Sequence, residues 1–153
     1  MKSIIIDKNK ERRPFVGVAT IVVKNSKILI GESCGKGSGF FYYGVPGGHL
    51  ENNESLIQCA KREVSEEAGI LIDNINLISV YDFYRKEKNR SYVTIGMKAD
   101  WFSGIPHDHD DECSFRKNWQ WYLPDEALHL SELFQPDRVL IERFLSGIIY
   151  EAI

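Results

Sequence analysis

The chain has no long basic run: 19 lysines and arginines stand against 22 aspartates and glutamates, a formal net charge of −3. Proteins that bind nucleic acid by neutralising many phosphates need the opposite balance, so no nucleic-acid partner is expected. An acidic surface also repels polyphosphate, so a phosphorylated small ligand would need a metal to bridge it. Cysteine is scarce. Cys34, Cys59 and Cys113 are odd in number, widely spaced and without a C-x-x-C pair, which argues against a disulfide framework or a zinc ribbon and makes a reducing cytoplasm the simplest setting. Long apolar runs are missing as well. Residues 4–6 are too few for a signal-peptide core, and the longest near-continuous apolar run, 15–23, falls far short of the roughly 20 residues that cross a bilayer. Neither export nor membrane insertion is expected. A P-loop is also absent: around Gly35-Lys36-Gly37-Ser38-Gly39, Ile30 stands where the first glycine belongs and Gly37 where Ser or Thr should be. The segment reads as a flexible loop whose Lys36 could approach a phosphate at a pocket rim.

What is present is an ordinary globular composition, 43% hydrophobic, 27% charged and 12% aromatic. At 153 residues one domain, 1–153, is expected. Stretches rich in β-branched and aromatic residues at 16–23, 27–30, 76–83, 92–102 and 119–123 are separated by turn residues and predict strands of one sheet. Helical spacing predicts helices at 55–68 and 136–150, the second opened by Pro136 and Asp137. No repeat, low-complexity tract or linker interrupts this order. The expected class is α/β, a mixed sheet flanked by helices.

The chemistry concentrates in Gly47-Gly48-His49-Leu50-Glu51-Asn52-Asn53-Glu54 and in Arg62-Glu63-Val64-Ser65-Glu66-Glu67-Ala68-Gly69-Ile70. Carboxylates crowd the predicted C-terminal end of a helix, where the macrodipole is negative and like charges repel, so a compensating cation is required. At about 100° per residue Glu63, Glu66 and Glu67 project within roughly one 100° arc. Leu56, Ile57, Ala60, Val64 and Ala68 take the neighbouring arc, which predicts an apolar stripe in the core and a carboxylate stripe along its edge. Oxygen donors of this kind suit a hard divalent cation such as Mg²⁺. Arg62 is placed to hold a carboxylate in a fork of hydrogen bonds, Gly69 to stop the helix, and Gly47-Gly48 to let backbone approach a ligand. The plain alternative is a surface helix with solvated glutamates.

The spacing decides between them. Gly48, five residues, Glu54, seven residues, then Arg62-Glu63-Val64-x-Glu66-Glu67-x-Gly69-Ile70 matches position for position the signature of the Nudix hydrolases, which this sequence resembles. Seven fixed residues at set spacing arise by chance in such a chain on the order of one time in a million. The signature covers 23 of 153 residues. The resemblance implies an α/β/α sandwich whose signature forms a loop–helix–loop, and hydrolysis of a nucleoside diphosphate linked to a further group. It implies Glu63, Glu66 and Glu67 as metal ligands, the Gly47 carbonyl as a further ligand, and Glu54 and Arg62 as supporting groups. Mg²⁺ or Mn²⁺ would neutralise the phosphate oxygens and acidify a bound water. The base that takes its proton stays open among Glu66, Glu67, Asp111 and Glu112. The last two belong to the acidic segment 107–113, read either as a solvated loop or as part of the site.

Pro46-Gly47-Gly48-His49-Leu50-Glu51, with Trp119-Gln120-Trp121 and Pro124-Asp125-Glu126, is similar to the MutT-like nucleoside-triphosphate pyrophosphatases within that family. By that analogy Trp121 stacks on a base. The alternative places Trp119 and Trp121 on opposite faces of a strand with one in the core. Relatives often carry a basic residue in the segment corresponding to Glu32-Ser33, and none stands here. Three readings follow: release of pyrophosphate from a nucleoside triphosphate, hydrolysis of a nucleotide sugar or dinucleoside polyphosphate, or a non-catalytic nucleotide-binding regulator. A homodimer is left open.

Overall fold

The computed structural model describes residues 13–34, 41–108 and 116–150. β1 (Phe15–Lys24) and β2 (Lys27–Cys34) form a tight hairpin, because Asn25 and Ser26 adopt φ of 50° and 63°, the left-handed pair a two-residue turn requires. β3 (Phe41–Gly44) and β4 (Gly47–His49) follow, then α1 (Leu56–Ala68), the long strands β5 (Leu71–Arg85) and β6 (Arg90–Ser103), β7 (Arg116–Tyr122), α2 (Pro124–Leu128) and α3 (Gln135–Ser146). The sheet runs β3-β2-β1-β6-β5, with β4 paired to β1 and β7 to β2. β1 and β6 are parallel from Phe15↔Tyr92 to Val23↔Asp100, and the other pairings are antiparallel, so the sheet is mixed.

β1 reads as an unbroken apolar run because both its faces are covered. Val18 and Val22 pack with Cys59, Ala60 and Val64 of α1, while Ala19 and Ile21 pack with Ala127 of α2 and Leu140 and Ile141 of α3. The result is the expected α/β/α sandwich. No described helix is long and apolar enough to cross a membrane.

Differences from the sequence reading are local. The last helix ends at Ser146, not 150, because Gly147 takes φ 76° and donates to the Arg143 carbonyl at 2.7 Å. The chain then runs beside β5, where the Val80 amide donates to the Ile149 carbonyl at 2.9 Å, so Ile148 and Ile149 kept a helical spacing that no helix uses. β3, β4 and α2 are three to five residues long, too short for periodicity to register. β5 reaches from Leu71 to Arg85 through register shifts, which disrupt a simple alternation.

Candidate active site

α1 carries most of the candidate residues, and both its ends are pinned. The Ser55 hydroxyl accepts from the Gln58 amide at 3.1 Å while the Gln58 side chain accepts from the Ser55 amide at 2.8 Å, a reciprocal cap. At the other end Gly69 adopts φ 68°. The His107 amide donates to the Ala68 carbonyl at 3.1 Å and the Trp119 indole N–H to the Glu67 carbonyl at 3.0 Å, so last-turn acceptors are satisfied from outside the helix. His107 packs so closely on Gly69 that a Cβ there would meet its ring at 2.0 Å.

Arg62 is the centre of the charge network. Its Nε and Nη2 donate to the two oxygens of Glu54 at 2.7 and 3.0 Å, a fork of the kind expected from sequence, which left its carboxylate unnamed. Nη1 reaches Glu63 at 2.7 Å and Glu66 at 3.2 Å, and Nη2 also donates to the His49 carbonyl at 3.0 Å. The guanidinium holds the Glu54 carboxyl down at about 2, helped by the Glu51 amide. Burial pushes Glu63 up, against the pull of Arg62. Burial likewise pushes the Cys59 thiol up to about 12, so this buried cysteine is an inert packing group.

Because the folded Glu54 pKa lies below its ordinary 4.5, its pairing stabilises fully above that value and is lost as pH falls toward about 2. Glu54→Gln is therefore expected to flatten the fall of Tm across that acid window relative to wild type. Parallel melting curves would be evidence against the pairing.

The three signature glutamates project from one side of α1, as helical spacing requires, but they differ in environment. Glu67 belongs to the buried face with Cys59, Ala60, Val64 and Ala68, and Glu66 is exposed, whereas Ile57, expected in the core, is 48% exposed. The physical reason is β4. Glu67 accepts from the Gly47 amide at 2.9 Å, so a backbone donor replaces water at a buried carboxylate. Glu63 lies against Gly48, where a Cβ would come within 2.2 Å of its Oε1. At Gly47 a Cβ would stand 2.3 Å from the Val18 carbonyl oxygen, so this glycine is sterically required, whereas at Gly48 a Cβ would displace the Glu63 carboxylate. Gly47 meets Glu67 through its N–H; no contact of its carbonyl bears on the expected ligand role.

Among the described residues no three His, Cys, Asp or Glu side chains converge as a metal-binding group. Arg62 supplies the positive charge that sequence reasoning assigned to a metal. The donor chemistry nevertheless fits a hard divalent cation, since every candidate donor is oxygen and the missing Cβ of Gly48 lets the Glu63 carboxylate lie against the β4 backbone.

Gly48 and His49 also line a cavity of about 180 Å³ together with Phe83, Tyr92, Phe134 and Asp137. Phe83 and Tyr92 stack at 5.1 Å, and Phe15 stacks on His49 at 4.7 Å. Asp137 is buried and accepts from the Val45 amide at 2.9 Å. None of these aromatic residues was singled out from sequence. The alternation in 76–83 and 92–102 was the available signal, but it does not say which face meets the glycines. Trp121 does not line this cavity. It and Trp119, two apart on β7, share a face and both pack on the α1-side core, with Lys24 Nζ 5.8 Å from the Trp121 ring. The opposite-face alternative is thereby corrected. Lys36, Asp111 and Glu112 lie outside the described residues.

A NUDIX domain profile matches residues 12–144. Phosphatase NudJ of Escherichia coli strain K12 is 30% identical over 127 residues, covering 81% of this chain and 78% of that protein. A NUDIX hydrolase from Nitrosomonas europaea superposes with a TM-score of 0.78 at 26% identity, covering 90% of this chain and 93% of that one. A MutT NUDIX hydrolase from Burkholderia pseudomallei gives 0.73 at 25% identity, covering 86% and 98%. Profile, sequence relative and superposition agree with the glutamate helix and its paired glycines, and the chain belongs to the NUDIX hydrolase family, whose members generally use divalent metal ions.

Proposed function

We propose that this chain hydrolyses a nucleoside triphosphate to the monophosphate and pyrophosphate, in the cytoplasm, with Mg²⁺ or Mn²⁺ bound by Glu63, Glu66 and Glu67. One observation carries the reading: Gly48 touches Glu63 on one side and lines the aromatic cavity on the other. A diphosphate held at Glu63 would thus deliver its nucleoside to Phe83, Tyr92 and Phe134, ring faces on which any base can stack.

The bound ion supplies charge neutralisation and an acidified water. The protein supplies the rest. Arg62 fixes Glu63 through a 2.7 Å hydrogen bond, and Gly47 fixes Glu67. Glu66, with 60% of its side chain exposed, would take the proton of the attacking water as the phosphoanhydride bond breaks and pyrophosphate leaves. Arg62 remains paired with Glu54, which keeps it from swinging into the site.

Incubation with a panel of nucleotides and Mg²⁺ or Mn²⁺, read out separately as pyrophosphate and phosphate, tests this. Pyrophosphate release from at least one triphosphate, abolished by chelator, is expected. Turnover of nucleotide sugars with no triphosphate cleaved would reject the substrate while leaving the hydrolase.

A further inference from the structure

We propose that Arg85 and Arg90 form an anion clamp that reads a phosphate of the substrate beyond the scissile diphosphate. This rests on the hydrolase reading and adds the substrate class. The two arginines face each other directly across the β5–β6 hairpin, in the register Phe83↔Tyr92, Tyr84↔Ser91, Arg85↔Arg90. Opposed residues of an antiparallel pair share a face, and like charges so placed repel. Two residues along the same face sit Phe83 and Tyr92, the stacked pair in the cavity wall, and Arg85 itself lines that cavity.

Arg90 is held with its guanidinium carbon 4.1 Å from the centre of Phe15, whose ring lies against both His49 and Tyr92. A continuous aromatic surface therefore runs from His49, whose carbonyl accepts from Arg62, to the two arginines.

The hairpin tip is built around these charges. Arg85, Lys86, Lys88 and Arg90 surround a single carboxylate, Glu87, in a chain whose net charge is −3. Glu87 accepts from Arg85 Nε at 2.8 Å and its side chain is 64% exposed, so it offsets one guanidinium weakly. Tyr84 donates to the Asn89 side chain at 2.6 Å, and Asn89 takes the left-handed φ of 44° that closes the 3₁₀ turn, so the tip has a defined shape. Two guanidinium groups opposed across the hairpin, one lining the cavity and one over Phe15, suit a phosphate group in charge and hydrogen-bonding capacity. The ligand chemistry is a phosphate ester on the nucleoside, because the arginines adjoin the rings proposed to take the nucleoside, whereas the end of a polyphosphate chain lies across the scissile bond from it.

Two matched pairs test this: a dinucleotide with against without a ribose 2′-phosphate, and, as the contrast, a nucleoside triphosphate against its diphosphate. Wild type is expected to favour the 2′-phosphorylated dinucleotide by about tenfold in KM, as a charge-assisted contact implies. Arg85→Gln and Arg90→Gln should each erase most of that ratio. Glu87→Gln should enlarge it, because it frees Arg85 Nε, a change of sign that a structural role would not produce. Equal KM values within the dinucleotide pair in wild type, equal weakening of both its members in the arginine variants, or a smaller ratio in Glu87→Gln would each overturn the clamp. If nothing in the panel is hydrolysed, the hydrolase reading has failed. The same pairs titrated calorimetrically into the chelated protein then decide the clamp by their Kd ratio, against the same criteria.

Discussion

Glu67→Gln is expected to lower kcat by about 10²-fold or more, since a lost cation ligand removes several kcal/mol of transition-state stabilisation. Stability should stay equal or rise. Gln keeps an oxygen that can accept from the Gly47 amide, and removing a negative charge near the C-terminal end of α1 relieves both the helix dipole and repulsion from Glu63 and Glu66. Loss of turnover with an unchanged or raised Tm is the signature of a residue kept for function at the expense of stability. Steady-state kinetics beside a thermal melt read both quantities. Wild-type kcat would end the ligand assignment, and a large fall in Tm would make Glu67 a structural acceptor instead.

Arg62→Ala should be the most destabilising change in the site. Arg62 satisfies Glu54 through two hydrogen bonds and also reaches Glu63, Glu66 and the His49 carbonyl. Its removal leaves carboxylates that are only 11% and 12% exposed, Glu54 and Glu63, without their cation. Breaking a fully buried pair costs 3–5 kcal/mol, and with the guanidinium partly open to water a loss of about 2–4 kcal/mol is expected, roughly 5–15 °C in Tm. Arg62→Lys should recover little of this, because a point charge cannot occupy the Glu54 fork and reach Glu63 together. Added Mg²⁺ should raise the Tm of Arg62→Ala more than that of wild type, as the ion replaces the missing positive charge at Glu63. Differential scanning calorimetry with and without the metal measures this. A variant that melts like wild type would mean that the network contributes geometry but little energy.

Much of the fold was legible because its elements are long or chemically marked. The apolar run of β1 and the spacing of α1 each repeat over enough residues to show a period, and Ser55 and Gly69 bracket the helix with cap chemistry that acts locally. The expectation of a helix to residue 150 failed at Gly147, where one left-handed residue overrode several apolar ones. A fork at Arg62 was readable from its charged neighbours, but its partner was not: Ser55 starts α1 right after Glu54, and only the folded loop brings that carboxylate onto Arg62. The inward turn of Glu67 was not readable either. It depends on the Gly47 amide, and β4 is placed by its pairing with Gly17, Val18 and Ala19 of β1.

The linear chain, then, determined the candidate groups: which carboxylates gather, which arginine can hold one of them, and which glycines let backbone come close, all matters of local spacing and residue size. Only the tertiary structure decided what those groups face. The parallel pairing of β1 with β6 brings Tyr92, with Phe83 beside it, to the strand that carries β4, and so sets an aromatic cavity and two opposed arginines next to the glutamates. Pairing between strands some 75 residues apart is a global compromise of packing and hydrogen bonding, and no local pattern encodes it.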